Sequence, residues 1–258
     1  MIEAARQTTL KEQPEIIELF RVLEENRLMK EKQEVESLVN YLDGMEIQFG
    51  QVMKELGEMR GQLNQIQDAG VRSSTVKITE RVENKMQEIG GQISTVKNNL
   101  LLSAKNAVYM FREKGLDALR KTVSAMRISS ALSYLKEGMH SGMESVNREA
   151  EKISIIRGEL HVAGEHMKNI GRVLTGREMR EPVPKNPDKG ILAKMQKTLL
   201  SCGGRLSAME QRTENARKRV EQFASKEEKK PSVKAELKRL KDEKGNHSLP
   251  SVIQEKTR

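Results

Sequence analysis

Ten apolar side chains, Val35, Leu38, Leu42, Met45, Phe49, Val52, Leu56, Met59, Leu63 and Ile66, follow one another at alternating steps of three and four residues. In a chain whose apolar fraction is 36%, such a ten-position comb fills by chance roughly 1% of the time over all starting points, so the period is structural. It places one continuous apolar seam along a helix. Gly44, Gly50, Gly57 and Gly61 fall off the seam, and each lowers helix stability by about 1 kcal/mol relative to alanine. A helix so weakened cannot stand on propensity alone and needs a partner to bury its stripe.

The nearest candidate follows in the chain. Asp68-Ala69-Gly70 reads as a helix stop, with Ser73-Ser74-Thr75 as N-cap candidates for a new start. A second stripe then runs through Ile78, Val82, Met86, Ile89, Ile93, Val96, Leu100, Ala104, Ala107 and Phe111. Taking 30–68 and 75–113 as helices makes both about 58 Å long. Equal lengths and a short turn predict an antiparallel hairpin. Charge agrees, since residues 30–68 carry a net −4 and residues 72–114 a net +4. Gly90-Gly91 is a plausible kink in the second helix.

Around this hairpin the chain divides into further segments. Residues 1–29 hold a short helix, with Pro14 suited to its first turn because that position needs no amide donor. Residues 115–180 repeat the apolar rhythm, from Leu132 to Met143 and from Ile153 through Ile156, Leu160, Ala163, Met167 and Ile170 to Leu174. Gly138, Gly142, Gly158, Gly164 and Gly171 lie within this stretch, which predicts a bent or broken helix. Pro182, Pro184 and Pro187 make 181–190 a linker. Residues 191–225 form a basic amphipathic helix on Met195, Leu199, Cys202, Leu206 and Met209, and 226–258 a short helix and a disordered tail. The expected fold class is therefore all-α: a long antiparallel, coiled-coil-like hairpin, additional broken amphipathic helices and a disordered basic tail.

Several chemistries are disfavoured by composition. A single cysteine, Cys202, permits no internal disulfide and no multi-thiolate metal site, which suits a reducing compartment. The first residues lack a basic run leading into an apolar segment, so no signal peptide is expected, and no apolar run approaches the ~20 residues of a membrane span. A cytoplasmic protein is the expectation. No Gly-Lys dipeptide occurs, which excludes a phosphate-binding loop of the nucleotide hydrolase type. His161 and His166 are five residues apart and do not share a helix face as a chelating pair would. Cys202 lies on a seam with no histidine in helical reach and reads as a packing thiol. No catalytic residue, cofactor, metal ligand or small-molecule substrate is expected.

Charge is polarised along the chain, from −6 over residues 1–70 to +7 over 71–180 and +8 over 181–258. Arg217, Lys218, Arg219, Lys226, Lys229 and Lys230 form the densest basic group and are candidate nucleic-acid contacts. Acidic residues interleave with them, and the whole chain has only seven aromatic residues for base stacking. Membrane-surface binding is disfavoured by narrow stripes without tryptophan.

Thr8-Thr9-Leu10-Lys11-Glu12-Gln13-Pro14, Gln48-Phe49-Gly50-Gln51-Val52, the stretch from Glu159-Leu160-His161 to Leu174-Thr175-Gly176-Arg177, and that from Lys185-Asn186-Pro187 to Gln196-Lys197-Thr198-Leu199 resemble a domain-of-unknown-function family encoded on conjugative and other integrative elements of Gram-positive gut anaerobes. The resemblance implies a bacterial cytoplasmic accessory of a mobile element, and it carries over no catalytic residues. The sequence as a whole predicts a non-enzymatic helical scaffold or assembly protein whose seam, Val35 to Ile66, meets a protein partner, either itself or another helical chain. The alternative is a nonspecific nucleic-acid-binding accessory that uses the basic carboxyl-terminal half.

Overall fold

The computed structural model describes residues 9–124, 128–182 and 189–228, with Ser124 and 223–228 described by backbone alone. Among the described residues there are six α-helices and no strand. In chain order they are α1 (Pro14–Glu25), α2 (Met29–Gln62), α3 (Ala69–Lys114), α4 (Leu116–Ser124), α5 (Ser129–Leu174) and α6 (Ile191–Glu228). Pro14 occupies the first turn of α1, as its missing donor predicts. Arg27, with φ +60°, turns the chain from α1 into α2.

The long helices α2, α3, α5 and α6 form a closed ring in which each packs against the next and α6 returns to α2. Cross-helix pairs fix the directions. Glu46 and Arg60 of α2 meet Lys97 and Glu83 of α3. Arg81 and Gln92 of α3 lie against Glu149 and Gly138 of α5, Lys136 and Arg157 of α5 meet Glu214 and Gln196 of α6, and Ser37 and Glu55 of α2 meet Arg219 and Arg205 of α6. In every pair one number rises as the other falls, so all four contacts are antiparallel and the topology is up-down-up-down. Helices α1 and α4 are short braces. The first packs on α2 and α3, and the second on α3 and α6.

The hairpin of α2 and α3 is present, but it is half of a bundle. Nine of the ten seam residues, from Val35 to Ile66, are buried, and Phe49 is partly buried. The seam thus serves the core of its own chain, with α3 on one side and α6 on the other. The equal helix lengths expected of the hairpin give way to 34 and 46 residues. The reason is local. Asp68, read as part of a helix stop, is the N-cap of α3, its side chain accepting from the Val71 amide at 2.8 Å, and so the helix begins before Ser73.

The interruptions expected within the glycine-bearing stretch are also absent from α5, which runs unbroken from Ser129 to Leu174. Gly138 and Gly142 lie where α5 crosses α3. A Cβ at Gly142 would sit 2.5 Å from Ile89 Cδ1, and one at Gly138 would overlap the Gln92 side chain. At both positions a side chain would force the Gln92 or Ile89 side-chain tip on α3 to shift, and burial of Met139, Val146, Ala150 and Ile153 around them offsets the lost propensity. Likewise α3 passes through Gly90-Gly91 without interruption, with the Phe49 ring against Gly90.

Candidate functional site

Inside the bundle the polar side chains are structural ties. Tyr41 of α2 reaches the Thr213 hydroxyl of α6 at 2.5 Å, and Thr213 also lies 2.8 Å from the Met209 carbonyl and 3.4 Å from Met139 Sδ of α5. Burial pushes the Tyr41 phenol upward in pKa, so it remains protonated and available as a donor. Cys202 is buried on the α6 seam. Burial first, and then the nearby Glu55 carboxylate, push its thiol up to about 12, which is the state of a packing residue and opposite to that of an activated nucleophile.

Of the six candidate nucleic-acid contacts, Arg217 and Lys218 pair with acidic residues and Arg219 with a hydroxyl. Arg217 bridges Glu214 at 2.8 Å and Glu221 at 2.5 Å, Lys218 reaches Glu214 at 3.5 Å, and Arg219 donates to the Ser37 hydroxyl at 3.2 Å. The hydrogen bonds from Arg217 and then Lys136 hold the Glu214 carboxyl down to about 2. The Lys226 side chain, Lys229, Lys230, the short helix expected after Pro231 and the basic tail lie outside the described residues, as do Pro184 and Pro187 of the linker. Among the described residues, no group of three or more His, Cys, Asp or Glu is placed to hold a metal ion. His140 lies between Glu144 and Glu210, and His166 is exposed.

One feature is not consumed by the fold. The other long helices stop short of the end of α5: α3 and α6 begin at Ala69 and Ile191, and the antiparallel registers set both starts level with about residue 160 of α5. Beyond that level α5 continues to Leu174, an arm of about 20 Å at 1.5 Å per residue. The rhythm of the core continues along it. Leu160 is 42% exposed, Met167 69%, Ile170 56% and Leu174 81%, with Ala163, Gly164 and Gly171 exposed between them. The opposite face of the arm is covered by its own chain. Gly176, with φ +69°, reverses the direction, and Asn169 then clamps the returning segment, accepting from Arg180 N at 3.0 Å and donating to Arg180 O at 2.5 Å. The clamp leaves the apolar stripe facing outward.

The spacing of this stripe was readable as helical in the sequence. Its exposure was not, because exposure depends on where α3 and α6 start. A concavity of about 220 Å³ lies between α2, α4 and α6, lined by Val35, Leu38, Tyr41, Val123, Ile128 and Ala216 with Arg212 and Arg219. It borders stretches that lie outside the described residues.

Fold and surface together define a class: an antiparallel four-helix bundle with a projecting, amphipathic helical arm. Over residues 12–257 the chain matches a family of unknown function, DUF6674, and it belongs to that family. Comparison with curated proteins and with solved structures finds no match. Among the described residues, no helix is long and apolar enough to cross a membrane.

Proposed function

We propose that this protein is a non-enzymatic helical assembly element, which holds a protein partner through the arm of α5 rather than through the seam of α2. The observation that carries this reading is the uncovered stripe from Leu160 to Leu174. An apolar surface of that length, presented on a helix whose other face is clamped, is the form in which helices dock onto apolar surfaces of other proteins. On the resemblance of its sequence stretches, we place the protein in the bacterial cytoplasm as an accessory of a mobile element. The pairing of Arg217 and Lys218 with Glu214 and Glu221 gives the nucleic-acid reading less free charge to work with in this segment, and it stands second.

A photo-crosslinking residue in place of Met167, with one in place of Gly57 on the outer face of α2 as control, tests the proposal in cells. Discrete crosslinked protein bands are expected at position 167 and none at 57. Absence of any band at 167 removes the reading. Filter binding over a salt series tests the runner-up, where a steep loss of retained nucleic acid with salt transfers the function to the basic residues.

A further inference from the structure

We propose that the concavity between α2, α4 and α6 binds a small amphipathic carboxylate, with its apolar body inside and its carboxylate at the mouth, against Arg212 and Arg219. The site is separate from the α5 arm and does not depend on the assembly reading. Its floor is apolar. Val35 and Leu38 of α2, Val123 of α4 and Ile128 before α5 all line it and are all buried. The Tyr41 ring adds a wall, and its hydroxyl is already bonded to Thr213 at 2.5 Å. A concave, mostly apolar site with a few polar groups at one end is the form that small-molecule sites take.

The mouth is cationic. Arg212 and Arg219 are exposed, line the same concavity and, seven residues apart, lie on one face of α6 about two turns from each other. They differ from the other two arginines of that helix. Arg205 pairs with Glu55 at 2.9 Å and Arg217 with Glu214 at 2.8 Å. Arg219 instead donates to the Ser37 hydroxyl at 3.2 Å, and neither it nor Arg212 meets a carboxylate among the described residues. A guanidinium in that condition offers a carboxylate two parallel hydrogen bonds in one plane. Glu34 is the single acidic residue among the described lining, so the two guanidiniums leave the mouth net positive and favour an anion over a cation of the same shape.

Size sets the body of the ligand. The cavity, of about 220 Å³, exceeds the roughly 150 Å³ that accommodates benzene in a dry protein cavity and falls short of the ~300 Å³ at which drug-sized sites begin. It suits on the order of ten non-hydrogen atoms. A hydrocarbon chain or ring system of that size ending in a carboxylate satisfies both the floor and the mouth.

Octanoate is the probe, with octanol and octylamine as its neutral and cationic counterparts, titrated into the full-length protein with its Leu, Val and Ile methyl groups labelled for NMR. Saturable shifts of the Leu38 and Val123 methyls are expected with octanoate, at a Kd on the order of 100 µM. Octanol is expected to bind about tenfold more weakly, and octylamine more weakly still. The double variant Arg212→Gln with Arg219→Gln changes two exposed side chains, so its melting curve is expected to match the wild type, while its affinity for octanoate falls about tenfold and its affinity for octanol stays the same. A wild type whose Leu38 and Val123 methyls do not move with octanoate, whether or not Ile170 and Leu174 of the arm respond, overturns the proposal and leaves the concavity to the chain's own segments. Octanol or octylamine bound as tightly as octanoate overturns it too, as does a double variant that holds octanoate like the wild type. Crosslinking at position 167 reads the arm separately, so either result can fail while the other stands.

Discussion

The bundle and the arm are written in the same sequence language and end in different states. Leu42, Leu56, Leu132 and Ile153 within the ring are buried, whereas Met167, Ile170 and Leu174, which continue the rhythm of α5, are more than half exposed. Nothing in the side chains themselves separates the two sets. What separates them is the reach of the neighbouring helices: inside the ring every stripe has two others against it, and past residue 160 there are none among the described residues. A helical period therefore specifies a face that needs covering, and the ends of neighbouring helices decide whether the same molecule supplies the cover.

The sharpest way to break this comparison is to give the bundle the condition of the arm. A chain cut after Lys114 keeps α2 and α3 but loses α5 and α6, so both seams become half uncovered, and the glycines of α2 leave no margin of helix propensity. The expected outcome is loss of most helical signal by circular dichroism at 25 °C. A stable, helical hairpin would show instead that α2 and α3 suffice for each other.

The glycines sharpen the contrast at single-residue scale. Gly142→Ala places a methyl 2.5 Å from Ile89 Cδ1, and overpacking is expected to destabilise the fold by about 1–3 kcal/mol. Gly57→Ala, on the open face of α2 with nothing within 4 Å, is expected to stabilise it by about 0.5–1 kcal/mol. Chemical denaturation checks both. Equal signs would mean that helix propensity, and not close approach, governs the glycines of α5.

The smallest expected effect is electrostatic. Glu214, a fifth exposed beside Lys136 and Arg217, has its carboxyl held down to about 2 from an ordinary value of 4.5. Its folded pKa lies below its unfolded one, so the stability it contributes is complete above pH 4.5 and is lost as pH falls toward 2. The Tm of the wild type is expected to fall more steeply over that window than the Tm of Glu214→Gln, and coincident pH profiles would remove the carboxylate from the account.

Much of the fold was legible because the apolar period survives composition. The α2 seam, the α3 stripe and the α6 stripe through Cys202 were each read at the residues that are now buried. The starts and stops were harder. Asp68-Ala69-Gly70 carries the residue types of both a helix end and a helix beginning, and only the hydrogen bond from Val71 to Asp68 decides between them. Glycine was misread in α5 because its propensity cost is local, whereas the benefit of close approach at Gly138 and Gly142 comes from Gln92 and Ile89 on another helix. The basic group around Arg217 was legible as charge, and its partners Glu214 and Glu221 stand at helical spacing in the same segment. The arm was legible as a period and illegible as a surface.

The tie between Tyr41 and Thr213 joins residues 172 positions apart, across the contact between the first long helix and the last. On the ribosome, α2 follows the short brace α1 and has only α3 to lie against among the long helices, and its other flank stays wet until nearly the entire chain has been translated. Closure of the ring is thus a late, long-range event, in which a loop of well over a hundred residues is drawn shut at an entropic cost that local helix formation cannot offset. Nascent chains stalled before α6 would carry two sticky flanks and depend on chaperones, while the finished molecule carries only its short arm.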